Sequence, residues 1–357
     1  MAYGNPPYAG PPPGWGAGWT PPPPPPKPGV IPLRPLGMGD VYGGAFATIG
    51  RCWKQLFGMA LAVYGGAAAL FAGVVALAYA AVSDHVDVLV HASAYEDPPW
   101  EDIRPLIVAF VCAWLIGVAV MVLAQALLSA ACPAVLQDAV IGRRVTFGAV
   151  WRRAWGRLPA VLGAVLLGNL AVCAVPLILW GTGIGLLMTG AATQNGATAA
   201  WALLPLLLLL FAAVPLSIWL WVKFLFAPTA AVMERQGPVA ALRRSSQLVR
   251  GDWWRIFGIS LLAWIMAAAA AYIIQLPFSF ATMLPGSVVD ADASPAQAVA
   301  AMAVGLITFV IGSLIGQIAA AIFPQLVNSL LYVDQRIRKE NLAPALAQAA
   351  AQHAPAG

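Results

Sequence analysis

ALRRSSQLVRGDWWRIFGISLLAWIMAAAAAYII, residues 241–274, is the stretch on which the fold turns. Its first part sets Leu242, Ser246, Val249, Trp253 and Ile256 at helical spacing on one face, with Arg243, Gln247 and Arg250 on the other. From Ile256 the chain then runs without a charged residue to Asp290. A membrane span needs about 20 predominantly apolar residues, so a basic amphipathic helix here leads directly into a span. Gly237-Pro238 opens the unit, and proline is favoured in the first helical turn.

The same unit occurs three times. Trp53, Trp155 and Trp253 occupy one position, followed three residues later by Leu56, Leu158 and Ile256, and QLFGMAL (Gln55 to Leu61) aligns with RIFGISL (Arg255 to Leu261). Each copy closes on a proline followed by an acid: Pro133 with Asp138, Pro228 with Glu234, Pro324 with Asp334. In the first copy Tyr42, Phe46, Ile49, Trp53 and Leu56 oppose Arg51, Lys54 and Gln55, with Asp40 as the expected N-cap. In the second, Thr146 is the expected cap, and Phe147, Trp151, Ala154 and Leu158 oppose Arg152, Arg153 and Arg157. Repeats of this kind point to an all-α polytopic membrane protein. Its six transmembrane helices form three two-helix repeats (about 40–140, 141–236 and 237–335), each preceded by an interfacial amphipathic helix. The spans are expected near 56–82, 105–131, 158–188, 201–226, 256–284 and 297–323, within a membrane domain of residues 40–335. Residues 1–39 and 336–357 are expected to be terminal tails.

Composition agrees with that reading. Charged residues make up 9% of the chain, against roughly 25% in a soluble domain, and the mean hydropathy is +0.81. All of the 19 Lys and Arg except Arg104 and Lys223 fall on one side of the expected membrane. Asp84, Asp87, Glu96, Asp97, Glu101, Asp102, Asp290 and Asp292 fall on the other. The positive-inside rule therefore predicts a plasma-membrane protein with both termini cytoplasmic. The net charge of +5 belongs to the membrane surface, the anionic inner leaflet being the expected partner; there is no folded basic domain for nucleic acid.

PGVIPLRPLGMGDVYGGAF (Pro28 to Phe46) and ALRRSSQLVRGDWWRIFGISLLA (Ala241 to Ala263) carry a likeness to known proteins. Over roughly residues 28–340 the chain resembles a largely uncharacterised family of polytopic membrane proteins from high-GC Gram-positive bacteria. Those proteins bear the label of a glycerophosphoryl diester phosphodiesterase membrane domain. The resemblance implies fold and location only. Phosphodiesterase activity resides in a separate soluble barrel with acidic and histidine metal ligands, and no part of this chain reads as one.

No secretory signal is expected, because the chain opens polar and proline-rich. Nearly half of the 30 prolines lie in residues 1–35, among Tyr3, Tyr8, Trp15 and Trp19. Such a segment is expected to be disordered. It reads either as a spacer or as a docking element, since the polyproline run Pro21 to Pro26 is pre-extended for a protein partner. Cys52, Cys112, Cys132 and Cys173 sit in or beside spans and suggest neither a disulfide framework nor a metal site. Cys52 is either inert or a juxtamembrane acylation target.

No catalytic constellation, cofactor motif or metal spacing stands out, so a non-enzymatic role is expected. His85 and His91 share an acidic loop region whose spacing matches no metal motif. Gly181 to Gly185, and Gly312 with Gly316, read as close-packing sites. Polar residues within the spans are the candidate internal positions: Gln125, Asn169, Lys223, Gln275, Gln317, Gln325 and Asn328. Interhelical hydrogen bonding accounts for the amides, and Lys223 is expected to snorkel to the interface. Around a threefold arrangement, Gln125, Lys223 and Gln317 would instead converge on a cytoplasm-facing vestibule. The candidate lipid-interface residues are Trp53, Lys54, Trp151, Arg152, Arg153, Trp155, Arg157, Arg243, Arg244, Arg250, Trp253 and Trp254. Two functions fit: an organiser of membrane lipid or partner proteins, or a transporter or lipid-translocating permease that uses the vestibule.

Overall fold

The computed structural model describes residues 34–91, 100–140, 145–194, 196–288 and 295–341, with residues 32, 344 and 348. The proline-rich segment up to residue 31, the acidic stretch 92–99, residues 289–294 and most of the C-terminal tail lie outside the described residues, and with them the readings made there. Among the described residues the chain is all helix. In order come α1 (Met38–His91), α2 (Trp100–Val140), α3 (Phe147–Thr193), α4 (Gly196–Trp201) and α5 (Leu203–Leu208). A π-helical turn (Leu209–Ala213) leads into α6 (Val214–Phe224), α7 (Ala227–Met233), α8 (Pro238–Val249), α9 (Trp253–Val288) and α10 (Pro295–Glu340).

Six of these segments are long and apolar enough to cross a membrane, the fourth being the run from Gly196 to Met233. No more than 28% of the most apolar window of any of them is buried within the chain. Leu70, Leu77, Phe110, Trp114, Leu170, Ile178, Phe211, Ile273 and Leu306 all stand exposed. An exposed apolar surface of that extent needs lipid around it, so this is a multi-pass membrane protein. The longest helices also outreach a bilayer. At about 1.5 Å per residue the 46 residues of α10 extend roughly 69 Å, against a hydrocarbon core of about 30 Å.

The protein's own core occupies the end at which α1 begins and α10 finishes, called here the charged end. Leu36, Leu56, Met59, Leu128, Leu136, Phe226, Ile256, Ile322, Leu326, Leu330 and Tyr332 are fully buried there. Further along, α9 and α10 approach closely through small residues. A Cβ on Gly312 would stand 2.5 Å from Phe278 Cβ, and one on Gly316 would stand 3.3 Å from the Ala271 carbonyl, so Gly312 and Gly316 form the expected contact face.

Several local expectations change. The cap of α1 is Gly37: its carbonyl accepts from Val41 N–H, and its N–H donates to Asp40 Oδ2 at 3.1 Å. Asp40 is thus the residue that reaches back to the cap, half of a capping box. Thr146 caps α3 by position, its carbonyl accepting from Val150 N–H, without a side-chain capping bond. The basic segments before the first and third spans are not separate helices. The first merges into α1 across a kink at Cys52 (φ −119°, ψ 25°), and the second is the opening of α3. Only α8 stands apart, because Gly251 takes a left-handed φ of +95° that turns the chain into α9. Pro133 and Pro324 lie inside α2 and α10, which run through them as single helices. Before Pro228 the helix does break, at Leu225 and Phe226. Ser245 of α8 supports that break: its hydroxyl donates to the Lys223 carbonyl at 2.8 Å and accepts from Phe226 N–H at 3.1 Å. Backbone groups released at a proline inside a membrane protein require such partners. Cys52 is 4% exposed, which leaves no access for an acyl-transfer enzyme.

Candidate functional site

Two features could do chemical work: a charged cluster at the charged end and an amide-lined cavity beside it.

The cluster is organised by the three acids that follow the prolines. Asp138 at the end of α2 pairs with Arg153 Nη1 of α3 at 3.2 Å, and the same nitrogen donates to the Ala134 carbonyl at 3.1 Å. Glu234, just after α7, receives Nε and Nη2 of Arg244 from α8 at 3.0 Å. It also accepts from the Tyr332 hydroxyl and from Gln236. Arg244 and Arg336 both reach Glu340, which ties α8 to the end of α10. Asp334 is completely buried and accepts from Arg255 Nη1 at 2.7 Å, Arg338 Nε at 3.0 Å and the backbone N–H of Leu36 at 2.7 Å. Arg255 and Arg338 also donate to the Leu36 carbonyl, each at 2.8 Å. Leu36 is thereby held by both backbone groups while its side chain is fully buried. Lys339 Nζ donates to the carbonyls of Leu248 and Arg250 at 2.8 and 2.6 Å, closing the C-terminus of α8. A buried carboxylate is tolerable only when paired and hydrogen-bonded, and Asp334 meets that condition.

Of the candidate lipid-interface residues, Arg153 and Arg244 therefore serve internal ion pairs. Trp253 is half-buried, stacked on Phe257 at 5.1 Å between ring centroids. Trp151 is half-buried beside Phe147 and Trp155, and Arg157 is half-buried. Trp53, Lys54, Arg152, Trp155, Arg243, Arg250 and Trp254 are exposed. Lys54 Nζ lies 5.8 Å from the centre of the Trp53 ring.

The cavity, about 90 Å³ and open at its rim, is lined by residues of α2, α3, α6, α7, α9 and α10. Gln125, Asn169, Gln325 and Asn328 supply amides, Ser129 a hydroxyl, and Trp221, Phe224 and Trp264 aromatic walls. Gln125, Asn169 and Trp264 are exposed at its rim, whereas Asn328 is 6% exposed and its Oδ1 has no hydrogen-bond partner among the described residues. The expected trio of Gln125, Lys223 and Gln317 does not assemble, since only Gln125 lines the cavity. Lys223 Nζ sits 4.5 Å above the Trp219 ring, and Gln317 lies outside the cavity's lining. Gln275 lies elsewhere on α9, half-buried, its Nε2 without a partner among the described residues.

Sequence reasoning missed Leu36, Ser129, Trp221, Trp264, Tyr332 and Gln335. Gln335 is fully buried, and neither of its polar side-chain atoms has a partner among the described residues. Its spacing from Asn328, seven residues or two helical turns, was a usable signal. Leu36 had none, because an isolated leucine in a proline-rich flank has no periodicity. Among the described residues no three His, Cys, Asp or Glu side chains group as metal ligands.

Residues 53–327 match the model of a family described as a domain of unknown function, DUF7847. No curated protein and no solved structure matches the chain.

Proposed function

The chain belongs to the DUF7847 family, and on that premise we propose that it is a non-enzymatic organiser of the plasma membrane. In this reading its termini are cytoplasmic, and it gathers anionic lipid and partner proteins at the inner leaflet. Its organisation is three two-helix repeats, each introduced by an interfacial basic segment. Asp138 and Glu234 each pair with an arginine in the basic segment that opens the next repeat, Arg153 and Arg244, which supports the linkage of successive repeats, whereas Asp334 pairs with Arg255 of its own repeat.

The observation that carries the reading is the division of the basic residues. Arg153, Arg244, Arg255 and Arg338 tie helices together. Lys54, Arg152, Arg243 and Arg250 stand exposed close in sequence to the exposed Trp53, Trp155 and Trp254. Tryptophan beside an outward cation suits the headgroup region of an anionic leaflet, and each cation near that surface contributes roughly 1 kcal/mol. Replacing Lys54, Arg152, Arg243 and Arg250 together by alanine should lower retention of phosphatidylglycerol over phosphatidylcholine well over tenfold. Native mass spectrometry from mixed nanodiscs reads this directly, and an unchanged preference would overturn the proposal. The proline-rich segment 1–35 is the proposed protein-docking element, and loss of co-purifying protein on its deletion tests that part.

The amide-lined cavity favours a second reading, a permease. Its volume is small for a lipid headgroup to traverse, and Lys223 and Gln317 are not in its lining. A flux altered by Gln125→Ala in an otherwise intact protein would move the assignment toward it.

A further inference from the structure

The cavity between α2, α3, α6, α7, α9 and α10 has a composition that selects its occupant. We propose that it binds an uncharged hydroxyl-bearing group, the head of a neutral glycolipid or the equivalent end of a free polyol. This assignment is independent of the lipid-organiser reading, which concerns anionic headgroups and exposed cations.

Three observations support it. First, among the described residues no side chain that lines the cavity is ionisable. An ion would lose its hydration without gaining a counter-charge, a cost that excludes it from such a place. Second, the floor carries an unmet demand. Asn328 is 6% exposed, and its Oδ1, an acceptor, has no donor among the described residues. Leaving a buried acceptor unpaired costs on the order of 1–3 kcal/mol. An occupant that donates removes that cost; an ether or ester oxygen, which only accepts, does not. Hydroxyl groups donate and accept, matching the mixed donors and acceptors of Gln125, Asn169 and Gln325. Third, Trp221 and Trp264 are flat apolar surfaces within the same lining, suited to the C–H face of a sugar or polyol.

Size and access narrow the choice. A volume of about 90 Å³ holds on the order of three waters at roughly 30 Å³ each, or the hydroxymethyl end of a sugar. The rim residues Gln125, Asn169 and Trp264 are exposed on spans whose outer surfaces need lipid. A headgroup can therefore enter from the membrane side while its acyl chains stay in the bilayer.

The test uses the full chain in phosphatidylcholine nanodiscs. One set contains a monoglucosyl diacylglycerol and the other its permethylated analogue, with native mass spectrometry reading the retained lipid. The free-hydroxyl lipid should be retained and the permethylated one lost. Asn328→Leu, close in shape but without the acceptor, should reduce retention about tenfold, the equivalent of one buried hydrogen bond. If that variant fails to fold by circular dichroism and elution profile, Gln125→Leu at the exposed rim provides the same comparison. Methyl glucoside added to lipid-only nanodiscs, followed by saturation-transfer NMR, separates the sources. Binding there without glycolipid retention assigns a soluble polyol and keeps the chemistry. Equal retention of the two lipids overturns the proposal. So does failure of both glucoside forms to bind, in which case the cavity holds water alone.

Discussion

Asp334→Asn removes one charge from the most buried ion-pair site of the charged end while keeping the side chain's shape. In the native protein this carboxylate, 0% exposed, accepts from Arg255, Arg338 and the Leu36 N–H. Breaking a buried pair by removing one partner costs about 3–5 kcal/mol. Here the arginine side chains keep 29% and 35% exposure, so water relieves part of their stranded charge. About 2–3 kcal/mol is therefore expected. The loss should have a local signature, because the same carboxylate holds the Leu36 amide. Hydrogen–deuterium exchange on the nanodisc-embedded protein should show Leu36 exchanging faster by at least tenfold, since each 1.4 kcal/mol of lost protection is a factor of ten. Denaturant unfolding should show an earlier midpoint. The Arg34–Asp40 pair is the control, its side chains 56% and 26% exposed. Arg34→Ala should cost no more than about 1 kcal/mol and be sensitive to salt. Unchanged Leu36 exchange and an unchanged midpoint in Asp334→Asn would refute the idea that this carboxylate fastens the N-terminal segment.

Other expectations follow from the same contacts. Gly312→Leu puts a side chain where Phe278 Cβ already lies, at 2.5 Å from the new Cβ. It should destabilise by about 1–3 kcal/mol, read as an earlier unfolding midpoint. Gly66→Leu, with open space around its Cβ position, should not. Arg244→Ala removes the bidentate partner of Glu234, leaving it Arg336 at 3.5 Å, and loosens Glu340, and should be the most damaging change among the basic candidates, whereas Arg243→Ala, on the exposed face of α8, should leave stability within about 0.5 kcal/mol. Cys52 and Cys132, buried in the packing of the charged end, should resist N-ethylmaleimide until denaturation; labelling of either in the folded protein would contradict that packing.

Much of this protein was legible as a linear pattern. Six long apolar helices follow from runs such as Ile256 to Val289 that carry no charge, because the bilayer imposes length and composition on each span separately. The Gly312–Gly316 contact and the Gly237-Pro238 start were readable for a similar reason: both are local rules of helix geometry. What the sequence left open was partnership. It marked Asp138, Glu234 and Asp334 as recurring acids, and the fold decided that they hold Arg153, Arg244 and Arg255. It grouped Gln125 with Lys223 and Gln317 by distance from a proline, and the fold grouped Gln125 with Asn169, Gln325 and Asn328 instead. Position along a helix fixes a residue's depth and its face. Which neighbour that face meets depends on how helices far apart in sequence are arranged around one another. Side-chain packing and the pairing of buried charge decide that arrangement, and both are properties of the assembled chain.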